Sequence, residues 1–147
     1  METVRQVLER KGTAVWSVGP DATVLDALKV MAEHDVGAVL VMEGDRVLGI
    51  FSERDYARKV VLKGLVSKDV KVTQLMTPNP YTVSPSNTVE EVMNLMTENR
   101  FRHLPVMEDG RLVGLVSIGD VVKSMVMQQE RTIRHLSSYI SGDLAAN

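Results

Sequence analysis

The chain contains no cysteine, few aromatic residues and no long apolar run. Without cysteine it can form neither a disulfide framework nor a thiolate metal site. No segment has the ~20 consecutive apolar residues that a membrane-spanning helix needs. The formal net charge of −2 lacks the strong positive balance that is typical of nucleic-acid-binding proteins. We therefore expect neither a membrane nor a nucleic acid as the main partner.

The N-terminus is charged where a signal peptide would have an apolar core. Together with the lack of cysteine, this predicts a cytoplasmic location. What the chain does have is the composition of an ordinary globular protein, with 44% hydrophobic and 24% charged residues. A chain of 147 residues with this composition can bury a sizeable core.

An internal repeat dominates the sequence. A shift of 65 residues aligns positions 18–60 with 83–125 without a gap, and 13 of these 43 pairs are identical. Chance would give about one identity in fifteen to twenty pairs, so the similarity indicates a true repeat. We predict repeat one with an N-terminal helix over residues 1–67, repeat two over 68–127 and a helical extension over 128–147.

Each repeat has the same order of predicted elements. Apolar residues at helical spacing follow Thr23 and Thr88, and two short apolar runs joined by a hairpin come next. A second helix is expected to start near Ser52 and near Ser117, and the first strands are expected at 14–18 and 81–83. The fold class is therefore α/β, with two βαββα repeats. One sheet face of each would stay bare, so we expect pseudo-twofold packing with clefts between the repeats.

Several segments resemble the CBS-domain family, whose tandem pair is often called a Bateman module. They are residues 18–24, 49–55, 102–106 and 114–120. The string Gly-apolar-apolar-Ser-x-x-Asp follows the same hairpin twice, and the resemblance covers roughly residues 3–127. It implies a regulatory sensor that binds an adenosine-containing ligand (AMP, ADP, ATP or NAD) between the repeats. It also implies a homodimer that acts by ligand-dependent conformational change on a separate protein partner, whose identity stays open.

The two Ser-x-x-Asp strings are the candidate ligand contacts. The resemblance implies that Asp55 and Asp120 hold ribose hydroxyls and that Ser52 and Ser117 contact ribose or phosphate. An ionised carboxylate only accepts hydrogen bonds, which suits a diol, and a helix start offers free N–H groups to phosphate. The same residues can form helix caps that need no ligand, so both interpretations stay open.

An apolar slot for adenine is also implied by the resemblance. Its candidate residues are Val36, Ile50, Phe101 and Leu115. Trp16 and Tyr81 could stack on a base or a nicotinamide ring. Ordinary packing is the alternative for all of these side chains.

Positive charge is distributed unequally between the repeats. Arg54, Arg58 and Lys59 lie near the second helix of repeat one, whereas repeat two has few cations there. Repeat two instead has Arg102 and His103 on a strand. Since arginine binds phosphate oxygens in pairs, we expect one cleft to bind phosphates better than the other. Solvated surface charge is the alternative for the cations, and a structural role is the alternative for His103.

Catalysis and metal binding are not expected. Ser117, His103 and Asp120 have the residue types of a catalytic triad, but the serine and aspartate share one helix start and no Gly-x-Ser-x-Gly elbow is present. The sequence also lacks a phosphate-binding Gly-x-x-x-x-Gly-Lys-Ser/Thr loop and a His-Glu-x-x-His zinc motif. A ligand-free dimerisation or adaptor scaffold is therefore the second functional hypothesis.

The last predicted helix has an apolar seam. Its members follow a 4-3-4-3-4 spacing: Val122, Val126, Gln129, Ile133, Leu136 and Ile140. We expect the helix to end near Gly142. A dimer contact is the favoured use of this seam, and packing against the N-terminal helix is the alternative.

Overall fold

A computed structural model describes residues 1–146. The described chain has helices and strands in this order: α1 (Val4–Lys11), β1 (Ser17–Val18), α2 (Val24–His34), β2 (Ala38–Glu43), β3 (Arg46–Ser52), α3 (Glu53–Asp55), α4 (Val72–Leu75), β4 (Thr77–Pro78), α5 (Val89–Asn99), β5 (His103–Glu108), β6 (Arg111–Ser117) and α6 (Ile118–Ala146). Residues Tyr56–Val61 continue α3 as a π-helix. The α/β class and the doubled order of elements are confirmed.

The sheet of repeat one has the strand order β1-β2-β3-β4. β1 pairs parallel with β2, and the β2–β3 hairpin and the β3–β4 pair are antiparallel. In repeat two β5 pairs antiparallel with β6, and Val83 makes only a parallel bridge to Val106. The first strands are thus shorter than the predicted 14–18 and 81–83. Both lie at sheet edges, and several of their residues are exposed. Burial therefore does little to stabilise longer pairing there.

The predicted helix starts are confirmed by their caps. The Thr23 side chain accepts from the Asp26 backbone N–H at the start of α2, and Thr88 accepts from that of Glu91 at the start of α5. Such caps satisfy N–H groups that have no partner within the helix. Together they set the point at which each repeat turns from loop to helix.

The two repeats exchange their N-terminal segments. Val4, Val7 and Leu8 of α1 are buried in the core of repeat two, whereas Val72 of α4 is buried in the core of repeat one. α1 precedes repeat one in the chain, but its amphipathic face lies on the other repeat. The exchange links the two repeats, because the core of each one includes the segment that precedes the other in the chain.

A third apolar cluster lies between the repeats. Ala38, Leu40 and Ile50 are buried there, and the partly buried Leu112 and Leu115 of repeat two pack against them. The bare sheet faces expected from the sequence therefore cover one another.

α6 is one continuous helix from Ile118 to Ala146, so the predicted end near Gly142 is wrong. A single glycine costs a helix only about 1 kcal/mol, and it ends a helix only where the chain turns into the left-handed conformation. The apolar seam is not covered within the chain, since Ile133, Leu136 and Ile140 are 56–63% exposed.

Candidate functional site

A cavity of about 560 Å³ opens between the two repeats, and we call it the first cleft. One wall is the end of β3 with α3 and the π-helical turn. The opposite wall is residues 99–104, where α5 passes into β5. Residues 77–81, which enter repeat two, close one side.

Ten of the side chains predicted from the sequence line the first cleft. They are Ile50, Ser52, Arg54, Asp55, Arg58, Lys59, Tyr81, Phe101, Arg102 and His103. Five other candidates lie elsewhere, and Trp16 is described below with the aromatic residues. Val36 packs against the core of repeat one and Leu115 against the cluster between the repeats. Ser117 and Asp120 lie at the matching position of repeat two, described below.

Ser52 and Asp55 form a reciprocal cap at the start of α3. The Asp55 backbone N–H donates to Ser52 Oγ at 3.1 Å, and the Ser52 backbone N–H donates to Asp55 Oδ2 at 3.0 Å. The Ser52 hydroxyl also donates to Asp55 Oδ2 at 3.1 Å. The pair is half-buried at the cleft wall, so its carboxylate is held in place before any ligand arrives.

Lys59 supports the same carboxylate from the next turn. Its ammonium lies 3.2 Å from Asp55 Oδ1 and donates to the Leu75 carbonyl at 3.1 Å. The bond to Leu75 links the π-helical turn to α4, and the ion pair holds the Asp55 carboxylate at the edge of the cavity.

An aromatic surface completes the first cleft. The Tyr81 and Phe101 rings lie 5.1 Å apart with planes tilted by 38°. Tyr81 is 56% exposed, so part of this surface is open to a flat ligand. Trp16 does not line the cleft. Its ring stacks on His34 at 3.5 Å within repeat one.

The matching carboxylate of repeat two pairs with a lysine of α1 and not with one of its own helix. We call the region around Ser117 and Asp120 the second cleft. The Lys11 ammonium, at the end of α1, lies 2.6 Å from Asp120 Oδ2 and donates to the Leu115 carbonyl at 2.8 Å. Burial opposes ionisation of Asp120, but hydrogen bonds from Lys11 and Ser117 outweigh it, and the pKa of Asp120 is lowered. The two clefts are therefore unequal.

His103 lies between the two carboxylates. A β-carbon at Gly37 of repeat one would be 3.8 Å from its Nε2 atom, so the ring crosses the boundary between the repeats. Burial is the main cause that lowers the pKa of His103, and Asp120 partly opposes it. The ring is therefore neutral near pH 7, and it meets the first cleft as a hydrogen-bonding group.

The sequence reasoning missed several residues at the clefts, and two of them are cations. Arg100 lines the first cleft, and Lys11 occupies the second. Arg100 could have been found from the repeat, because it aligns with Asp35 and reverses that charge beside Phe101 and Arg102. Lys11 had no such signal, since its role depends on the exchange of α1.

Across residues 1–146 no group of three or more metal-ligating side chains comes together. Within that same part of the chain, no helix combines the length and apolar character that crossing a membrane requires. The cytoplasmic location stays a prediction, because neither finding tests it.

Comparisons with known proteins agree with this geometry. The CBS domain family model matches residues 4–62 and again 72–127. The chain is 41% identical over 150 residues to the mitochondrial CBS domain-containing protein CBSX3 of Arabidopsis thaliana, covering 95% of this chain and 72% of that protein.

Two solved structures extend the comparison. A protein with CBS domains from Burkholderia ambifaria MC40-6 is 49% identical, with a TM-score of 0.83, and the match covers 86% of this chain and 96% of that one. CBSX2, solved in complex with AMP, is 27% identical, with a TM-score of 0.68 and coverage of 88% and 99%. The doubled match and the shared fold place this chain in the CBS-domain family, with two CBS domains.

Proposed function

We propose that this protein is a regulatory module that binds an adenine nucleotide in the first cleft and acts through a separate partner. The observation that carries the proposal is the composition of that cleft. A fixed carboxylate, an aromatic surface and several cations line one cavity of about 560 Å³. A volume of this size is typical of a small-molecule site.

Each part of the cleft suits one part of a nucleotide. Asp55 can accept two hydrogen bonds from a ribose diol, and Ser52 holds it in position. Ile50, Tyr81 and Phe101 offer apolar surface to the base. Arg54, Arg58 and Arg102 supply positive charge to the phosphates. AMP in the related CBSX2 structure supports this class of ligand.

A ligand in the first cleft would contact both repeats at once. Its sugar would bind repeat one, while Phe101, Arg102 and His103 belong to repeat two. Such a bridge favours one relative arrangement of the repeats over others. The partner would bind differently to the arrangement whose population the ligand raises. We further propose that the protein acts as a homodimer, with the α6 seam as the contact.

The sharpest test separates ligand binding from helix capping. Asp55→Ala removes the proposed ribose contact and half of the α3 cap, so we expect a stability loss of about 1 kcal/mol and loss of nucleotide binding. Asp26→Ala is the matched control, because Asp26 makes the same reciprocal cap at the start of α2, where the backbone bonds are 2.9 and 3.1 Å. Denaturation and calorimetric titration with AMP, ADP, ATP and NAD measure both effects.

The proposal requires that only Asp55→Ala lose nucleotide binding, while both variants lose stability. If wild-type protein binds none of the four compounds, a ligand-free dimerisation scaffold becomes the better account of the fold. If nucleotide binding survives Asp55→Ala unchanged, the first cleft is not the ribose site.

A further inference from the structure

Four arginines share the rim of the first cleft. Arg54 and Arg58 come from repeat one, at α3 and the π-helical turn, and Arg100 and Arg102 come from the opposite wall in repeat two. The other three arginines lie close enough to Arg54 to affect its pKa. The pKa of Arg54 is lowered, chiefly by the positive charge of Arg58, then by desolvation, and further by Arg102 and Arg100.

These charges are not neutralised within the described chain. Among residues 1–142, none of the four arginines has an aspartate or glutamate within ion-pair distance, whereas Lys59 is paired with Asp55. Glu53 is the other carboxylate at the cleft. Five cationic side chains therefore face two carboxylates in a protein whose net charge is −2.

The backbone of Arg100 adds an independent observation. This residue ends α5 in the left-handed conformation, with φ of 59°, and Asp35 ends α2 in the same way with φ of 51°. Glycine or asparagine suits this position better than arginine does. An arginine therefore stands at a position where the backbone favours another residue, and it lines the cleft.

We propose that the first cleft selects adenosine ligands that carry two or more linked phosphates, such as ADP, ATP or a dinucleotide with a pyrophosphate bridge, over the monophosphate. The inference rests on the proposed function, since it places a nucleotide in this cleft. A single phosphate offers fewer oxygens to these arginines than a chain of two or three phosphates does. A longer phosphate chain can lie between the walls and be bound by arginines from both, which relieves their mutual repulsion.

Calorimetric titration of the full chain with AMP, ADP, ATP and NAD at one ionic strength tests the proposal. We expect ADP and ATP to bind at least ~10-fold more tightly than AMP, as one added charge-assisted contact would give. NAD carries a pyrophosphate bridge but no terminal phosphate chain. Its affinity compared with those of ADP and ATP therefore shows which of the two groups the cleft prefers.

Arg100→Asn is the diagnostic variant, because asparagine keeps the left-handed helix end while removing the charge. We expect it to weaken ADP and ATP binding ~10-fold, to weaken AMP binding less, and to keep or raise the unfolding temperature. Asp35→Asn is the control at the equivalent helix end, where no change in any affinity is expected.

The proposal is overturned if AMP binds as tightly as ADP, or if Arg100→Asn weakens all ligands equally. Either result leaves the proposed nucleotide site intact. Absence of binding by every compound would overturn the proposed function together with this inference.

Discussion

The Ser-x-x-Asp pair is the residue-level feature on which the interpretation of the clefts turns. At Ser52 and Asp55 every bond of a complete helix cap is present without a ligand. The same pattern at Thr23 and Asp26 caps a helix away from the cleft lining. The pattern in the sequence therefore predicts a cap at each place, and only the position in the fold separates a cap beside a cavity from a cap at the surface.

His103 carries the residue-scale prediction. Because burial lowers its pKa in the folded state, the unfolded chain binds a proton more readily below about pH 6.5. The stability linked to the neutral ring is complete above that pH and is lost as the pH falls through the window below it. We expect the free energy of unfolding to fall between pH 7 and pH 5, and His103→Gln to flatten that part of the profile.

Urea denaturation across this pH range measures the effect. His135→Gln is the control, since His135 lies exposed on α6 and its removal should leave the slope unchanged. A wild-type slope that persists in His103→Gln would assign the pH dependence to other groups.

At the scale of elements, two equivalent glycines receive the exchanged segments. A β-carbon at Gly49 would lie 2.5 Å from the Met76 sulfur and 2.8 Å from the Thr77 carbonyl, whereas one at Gly114 would lie 2.7 Å from Leu8 Cδ2. Backbone cannot move aside as a leucine methyl can. We expect Gly49→Ala to cost about 1–3 kcal/mol of unfolding free energy and Gly114→Ala to cost less.

Chemical denaturation ranks the two variants. Gly19→Ala serves as the reference, because nothing lies within 4 Å of a β-carbon there. Equal losses at Gly49 and Gly114 would mean that β4 shifts as readily as the Leu8 side chain.

Helix α1 carries the second prediction at this scale. Lys11 pairs with Asp120 and donates to the Leu115 carbonyl, so a ribose that binds Asp120 in the second cleft competes with that ammonium. We expect wild-type protein to bind one nucleotide per chain tightly. Lys11→Met should add a second site or tighten a weak one by ~10-fold, since the competing ion pair is removed.

The stoichiometry from calorimetry decides this prediction. Lys71→Met is the control, because Lys71 makes an exposed ion pair with Asp21 at 3.5 Å, outside both clefts. Two equal sites in the wild-type protein, or a weaker second site in Lys11→Met, would identify Lys11 as a phosphate ligand instead.

At the scale of the whole molecule, the uncovered seam of α6 predicts self-association. Val122 and Val126 are each 47% exposed, and Ile133 is 63% exposed, on a helix of 29 residues. Apolar residues at heptad spacing favour pairing with another helix. We expect a dimer by light scattering coupled to size exclusion, and we expect Ile133→Glu to shift it toward the monomer.

Thr132→Glu is the control for that experiment, since it adds the same charge beside the seam. An unchanged dimer in Ile133→Glu would locate the contact elsewhere on the molecule. A monomeric wild-type protein would exclude the homodimer.

Much of the fold followed from local rules that operate within each repeat. The caps at Thr23 and Thr88, the hairpins and the helices that follow Ser52 and Ser117 were predicted because short-range hydrogen bonds and apolar periodicity determine them. The lengths of the first strands and the end of α6 were predicted wrongly, since edge pairing and burial beyond the local sequence decide them.

The sequence by itself determined that two copies of one βαββα unit would pack together, because each copy leaves a sheet face that needs cover. The candidates named from the sequence, chiefly through the family resemblance, make up about half of the residues that line the first cleft. Only the tertiary structure decided that α1 lies on repeat two, that Lys11 reaches Asp120, and that Arg100 faces Arg54. Those contacts join residues far apart in the chain, so they depend on how one core closes against the other and on no local pattern.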